Sequence, residues 1–200
     1  MNTPAHLIFA AAAFARPAPP GPAGAAARRR NLAALAGGLA PDLGLFLLFA
    51  WARWGQGREL QEIFQQDYLS PLWQGVFRVD NSIPLWGALG LAALALGRPA
   101  LAVLAGAALL HLAFDLPLHH SDARPHFWPL TDWVFRSPLS YWNPARHGHE
   151  VALAEGAACL ALAAVLWRRF EGVPARAAIL ALLAVEAAPT VVWPWLLGPG

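Results

Sequence analysis

The run from Pro99 to Leu118 confines this chain more than any other part of it. It is apolar except for His111 and Asp115, and it reaches the roughly 20 residues a helix needs to cross a bilayer. Further apolar stretches lie at 31–54, 83–96, 151–167 and 177–197, with a shorter one ending at Phe14. Only 13% of the residues are charged, about half the share usual in a soluble domain, so lipid is the expected surrounding. The sequence therefore predicts an all-α, polytopic membrane helix bundle of about six membrane helices, forming one integral membrane domain over residues 1–200.

The segments between these stretches have their own signals. Thr3-Pro4 reads as an N-cap followed by proline in the first helical turn. No basic region precedes the first apolar stretch, so it reads as a retained helix and not a secretory signal. Residues 16–31 are rich in Pro and Ala, end in Arg28-Arg29-Arg30, and read as a flexible basic loop. Gly37-Gly38-Leu39-Ala40-Pro41-Asp42 should break or kink the second span. In the polar segment 55–82, Leu60, Ile63, Phe64 and Tyr68 share one helical face, as in an amphipathic helix lying on the membrane or packed on the rest of the protein. Asp80-Asn81-Ser82 offers a cap to the next helix, and Gly97-Arg98-Pro99 a tight turn. A His-rich loop runs from 118 to 150.

All fourteen basic residues are arginine. The short loops at 16–30, 98 and 168–176 hold Arg16, Arg28, Arg29, Arg30, Arg98, Arg168, Arg169 and Arg176 against one acid, Glu171. Arginine in short loops marks the cytoplasmic side, which puts the His-rich loop on the periplasmic side of a bacterial inner membrane. Trp51, Trp54, Trp73, Trp86, Trp128, Trp133, Trp142, Trp193 and Trp195 fall near that outer boundary and Trp167 near the inner one. That pattern fits simple anchoring or a rim around an outer site. The arginines are too dispersed for a nucleic-acid footprint. Cys159, the single cysteine, sits in an apolar run and reads as a small buried hydrophobe, so any metal site must use His and carboxylate ligands.

Ionisable residues in an apolar span normally face a bundle interior or a wet cavity. His111 and Asp115, spaced i, i+4, share one helix face; they form either part of a site or a hydrogen-bonded pair locking two helices. Asp42, mid-span beside a proline, must take up a proton or find a partner, and a metal is one such partner. His6, one turn into the first helix, is a third member. His119, His120 and His126 follow the Pro117 break, with Asp122 or Asp132 available to orient a ligating imidazole; a solvated polar loop is the alternative. His147, His149 and Glu150 are further candidates, Glu150 as a general base or simply an acid favoured at a helix start. Glu186 in the last span has no evident partner. Imidazole with carboxylate suits zinc, and also iron or manganese. The metal ligands expected are His6, Asp42, His111, Asp115, His119, His120 and His126, with Asp42, Asp115 and Glu150 as catalytic carboxylates. Arg124 and Arg146 are candidates to hold a substrate phosphate.

The chain has no G-x-S-x-G elbow, P-loop, HExxH or paired CxxC. His6, Gly37-Gly38-Leu39-Ala40-Pro41-Asp42, His111-Leu112-Ala113-Phe114-Asp115 and Trp128-Pro129-Leu130 together resemble the inner-membrane metal-dependent hydrolases of the YdjM/DUF457 type. The order His6, Asp42, His111 with Asp115, then His120 or His126, is also distantly similar to the zinc-dependent phospholipase C and P1 nuclease fold. Here it lacks a histidine between Asp42 and His111, and its closing pair, His147 and Glu150, is one residue short of that fold's spacing. These resemblances imply metal-dependent hydrolysis of a phosphoester, on a lipid or a small periplasmic molecule. Two alternatives use the same residues: a metal transporter or donor, and a non-catalytic membrane assembly partner.

Overall fold

Prolines open most of the helices of this chain, a position where their missing N–H costs nothing. The computed structural model describes residues 1–197, with side chains through residue 188. It is all-helical, with no strand among the described residues: α1 (Thr3–Phe14), α2 (Pro22–Ala50), α3 (Leu60–Glu62), α4 (Pro71–Asp80), α5 (Ile83–Ala95), α6 (Pro99–Asp115), α7 (Gly148–Arg169) and α8 (Val173–Leu197). Trp193 and Trp195, expected in the aromatic rim, lie outside the residues whose side chains are described.

Among the described residues, three helical segments are long and apolar enough to cross a membrane: Pro22–Gly55, Pro99–Leu118 and Gly148–Arg169. Only 28%, 39% and 28% of their most apolar windows is buried inside the protein. The rest of that surface, including Leu47, Leu153 and Leu160, is exposed and calls for lipid. By contrast α1 has 12 residues and α5 has 13. At about 1.5 Å per residue they reach ~18–20 Å, well short of the ~30 Å hydrocarbon layer.

Short α1 touches α2, α6, α7 and α8, and alanines make that close approach possible: Ala5 and Ala10 are buried against its neighbours. Met1, Ala5 and Ile8 join Cys159, Ala163, Leu166 and Ile179 in one apolar cluster, so Cys159 is the buried hydrophobe expected. α2 and α6 share the most extensive helix contact among the described residues. A Cβ added at Gly37 would lie 2.1 Å from the Leu104 carbonyl oxygen, an approach only glycine permits.

Several expectations are corrected. The basic loop ends early, because residues 22–30 already form the first turns of α2. α2 also continues as a helix through Pro41. Proline there removes only the bond to the Gly37 carbonyl, and packing on α6 holds the helix together. Asn2, not Thr3, is the N-cap position of α1, which frees the Thr3 hydroxyl for another partner. In the polar segment a π-helical turn over Ile63–Asp67 shifts the register. Ile63 is buried with Ala52, Trp73 and Phe77, whereas Leu60 and Phe64 are exposed, so the four residues do not share one face. Ser82 does cap α5, its hydroxyl accepting from the Leu85 N–H at 3.1 Å.

Candidate metal centre

Three elements deliver the site. α6 presents His111 and Asp115 one turn apart, α1 lays His6 against them, and α2 brings Asp42 after its close contact with α6. His6, His111 and Asp115 are buried, and each offers one ligand atom within 4.8 Å of the others. His6 Nε2 lies 2.9 Å from Asp115 Oδ1 and His111 Nε2 lies 3.0 Å from Asp115 Oδ2. The two imidazole rings are stacked, with centroids 3.5 Å apart and planes at 6°.

The proton positions follow from the partners. His111 Nδ1 lies 2.8 Å from the Gly38 carbonyl oxygen, which can only accept, so Nδ1 carries a proton. Its Nε2 then faces a carboxylate oxygen. That is favourable only if the ring carries a second proton or a cation shares the space. Two imidazolium rings stacked at 3.5 Å would repel. A divalent cation between neutral imidazoles and the carboxylate resolves both conflicts, and the Gly38 carbonyl is the partner that fixes a ligating tautomer. The residues therefore fit a metal. His6 Nδ1 is buried without a hydrogen-bond partner, so the Asp115 contact at Nε2 and the packing around it orient that ring.

Around this triad stand further polar groups. Asp42 Oδ1 lies 3.8 Å from His111 Nε2, and the Thr3 hydroxyl donates to Asp42 Oδ2 at 2.6 Å. The Met1 amine lies 2.8 Å from Asp115 Oδ1. His119 Nε2 is 3.3 Å from Asp115 Oδ1 and its Nδ1 2.9 Å from Asp122 Oδ2. Neither nitrogen is aligned for a hydrogen bond. Burial opposes charge on His119, but the Asp115 and Asp122 carboxylates together outweigh it and raise the pKa above the ordinary histidine value. In return His119 overrides burial at Asp122 and lowers its pKa.

These groups open into a cavity of about 580 Å³ lined by Asp42, Asp115, His119 and Asp122, and also by Arg124, Tyr68 and Tyr141. Arg124 is buried, its guanidinium carbon 4.3 Å over the Phe77 ring. Burial disfavours its charge, yet Tyr68, then Asp42, keep its pKa above the usual value. Its Nε and Nη1 have no partner among the described residues, leaving two donors free inside the protein.

Other sequence candidates stand apart. His120 is held by its Nδ1 donating to the Ser137 carbonyl at 2.6 Å. Arg146, His147, His149 and Glu150 are exposed, and His147 meets Glu150 only at 3.8 Å. Glu150 lines a second, mainly apolar cavity of about 490 Å³ with Phe9, Phe114, Leu118 and Leu139, which touches the first at Met1. Asp132 pairs loosely with Arg78 at the surface, at 3.5 Å, and orients no imidazole. Glu186 has a partner after all: Asn2 Nδ2 donates to it at 3.3 Å, while the Asn2 N–H donates to Glu155 at 2.7 Å. Thr3, Tyr68 and Tyr141 were not expected at the site.

His126 is buried in the loop, its Nδ1 donating to the Arg124 carbonyl at 2.9 Å. Burial pushes its pKa from 6.5 down to about 4. The unfolded chain therefore takes up a proton that the folded one refuses, and this contribution to stability is lost as pH falls from 6.5 towards 4. Melting curves across that range should show the slope in wild type and a shallower one in His126→Gln; equal slopes would refute the assignment.

No protein-family model, curated protein or solved structure matches the chain, so what the site does has to be read from its own residues.

Proposed function

We propose that this protein is a membrane-embedded, metal-dependent hydrolase acting on a phosphoester of a lipid or a periplasmic molecule, and that it belongs with the inner-membrane metal-dependent hydrolases it resembles. The observation that carries the reading is the buried triad of His6, His111 and Asp115, whose Asp115 lines a cavity that also holds Arg124 with Nε and Nη1 unpaired. A divalent metal, zinc by the chemistry of the ligands, would supply an acidified water and a Lewis acid for the phosphoryl oxygen.

The chain's own residues have the remaining roles. His6, His111 and Asp115 would hold the metal, with His119 alongside Asp115. Asp42, kept in place by the Thr3 hydroxyl, is the carboxylate that accepts a proton at Oδ1. Arg124 offers its free Nε and Nη1 N–H groups as charged donors to the substrate phosphate. Tyr68 and Tyr141 close the cavity wall; burial raises the Tyr141 pKa, so it stays a neutral donor. The adjoining apolar cavity suits an acyl chain, which favours a lipid substrate.

The test is metal analysis of the purified protein followed by turnover on a panel of phosphomonoesters and phosphodiesters, lipid and soluble. Zinc, iron or manganese should copurify, and Arg124→Ala should lower kcat/KM about ten- to a hundredfold, since a charged hydrogen bond is worth ~1.5–3 kcal/mol. If no metal copurifies and none binds on addition, the reading fails.

A further inference from the structure

At the opposite end of the bundle from the His/Asp cluster lies the most spacious of the described cavities, about 930 Å³, and four arginines line it. Arg16 comes from the segment after α1, Arg29 and Arg30 from the first turns of α2, and Arg98 from the turn between α5 and α6. No acid lines it; the rest of the wall is small or apolar, including Leu96 and Leu101. Two of the arginines serve the fold. Arg30 Nε donates to the Phe14 carbonyl at 2.6 Å, and Arg16 Nη1 donates to the Ala15 carbonyl at 2.9 Å. Arg29 and Arg98 are exposed, and neither side chain makes a hydrogen bond or ion pair among the described residues.

Like charges gathered around one cavity with no counter-charge repel one another, and an anion would relieve that cost. Guanidinium is the group that binds phosphate by a planar fork. The cavity is far larger than a phosphate ion needs. It sits where apolar helices end, the depth at which lipid headgroups lie, and basic pockets between membrane helices take up anionic headgroups.

We infer that this cavity is a binding site for the phosphate headgroup of an anionic phospholipid, with Arg29 and Arg98 as its free ligands, Arg16 and Arg30 as fixed positive charge, and Leu96 and Leu101 beside the acyl chains. The site is independent of the metal centre and of what that centre catalyses.

The experiment is native mass spectrometry of the full chain released from mixed micelles of phosphatidylglycerol and phosphatidylcholine. Wild type should retain phosphatidylglycerol at least tenfold over phosphatidylcholine, and R29Q/R98Q should lose that preference. R29K/R98K, which keeps the charge, should retain most of it. Millimolar inorganic phosphate should not displace the lipid. Equal retention of the two lipids by wild type would overturn the proposal, as would an unchanged preference in R29Q/R98Q. Displacement by inorganic phosphate would assign the cavity to a soluble phosphate and overturn the lipid assignment. Should the double glutamine variant fold poorly, R98Q alone, in the exposed α5–α6 turn, should cut the preference at least threefold; no change in it would count equally against the site.

Discussion

Asp115→Asn is expected to lower the metal that copurifies with the protein by more than tenfold. Asp115 is the residue on which the cluster converges: His6 and His111 each meet one of its oxygens, at 2.9 and 3.0 Å, and His119 stands 3.3 Å away. Asparagine keeps the shape and removes the charge, so the loss reports ligation and not a cavity. His111→Ala should do the same through a different atom. Elemental analysis of wild type and both variants, purified side by side, is the measurement. If the cluster is only an ionic lock between helices, the variants should instead melt earlier, since breaking one partner of a buried pair costs ~3–5 kcal/mol, while wild type carries no metal to lose.

Gly37→Leu is the second substitution with a large expected effect. A single added carbon at this position already comes 2.1 Å from the Leu104 carbonyl oxygen and 2.8 Å from the Ala107 Cβ. Both obstacles belong to the packed face of α6, and one is backbone, which cannot rotate away. Overpacking of this kind costs ~1–3 kcal/mol or more. α2 would be pushed from α6, carrying the Gly38 carbonyl away from His111 and Asp42 away from the cluster. Gly37→Leu should therefore lower both the melting temperature and the bound metal, whereas Gly75→Ala, which faces open space inside α4, should lower neither. Retention of wild-type metal content by Gly37→Leu would show that the α2–α6 contact does not hold the site.

Much of this arrangement is legible in the sequence because membrane burial makes polar residues conspicuous. His111 and Asp115 stand out in an apolar run and their spacing puts them on one face. Asp42 stands out for the same reason, and the structure brings His6 to the same place. Arg124 was legible as a candidate from its position in the His-rich loop. What was not legible depends on packing between elements. Thr3 looks like a cap until Asn2 takes that position; Tyr68 and Tyr141 are ordinary residues until the loop folds over α2. Asn2 meets Glu155 and Glu186 across more than 150 residues, a pairing no periodicity encodes. The π-helical turn at Ile63–Asp67 defeats a 3.6-residue template because it adds a residue to the turn.

The wide separation of the cluster's members along the chain sets a schedule for its synthesis. His6 and Asp115 are 109 residues apart. At ~5–20 residues per second a ribosome needs about 5–20 s to reach the second after the first. For that interval α1 carries an imidazole with no carboxylate to meet it, on a helix too short to cross a bilayer unaided. α1 can therefore reach its final place only after α6 has been made, and the contact between His6 and Asp115 cannot form before then.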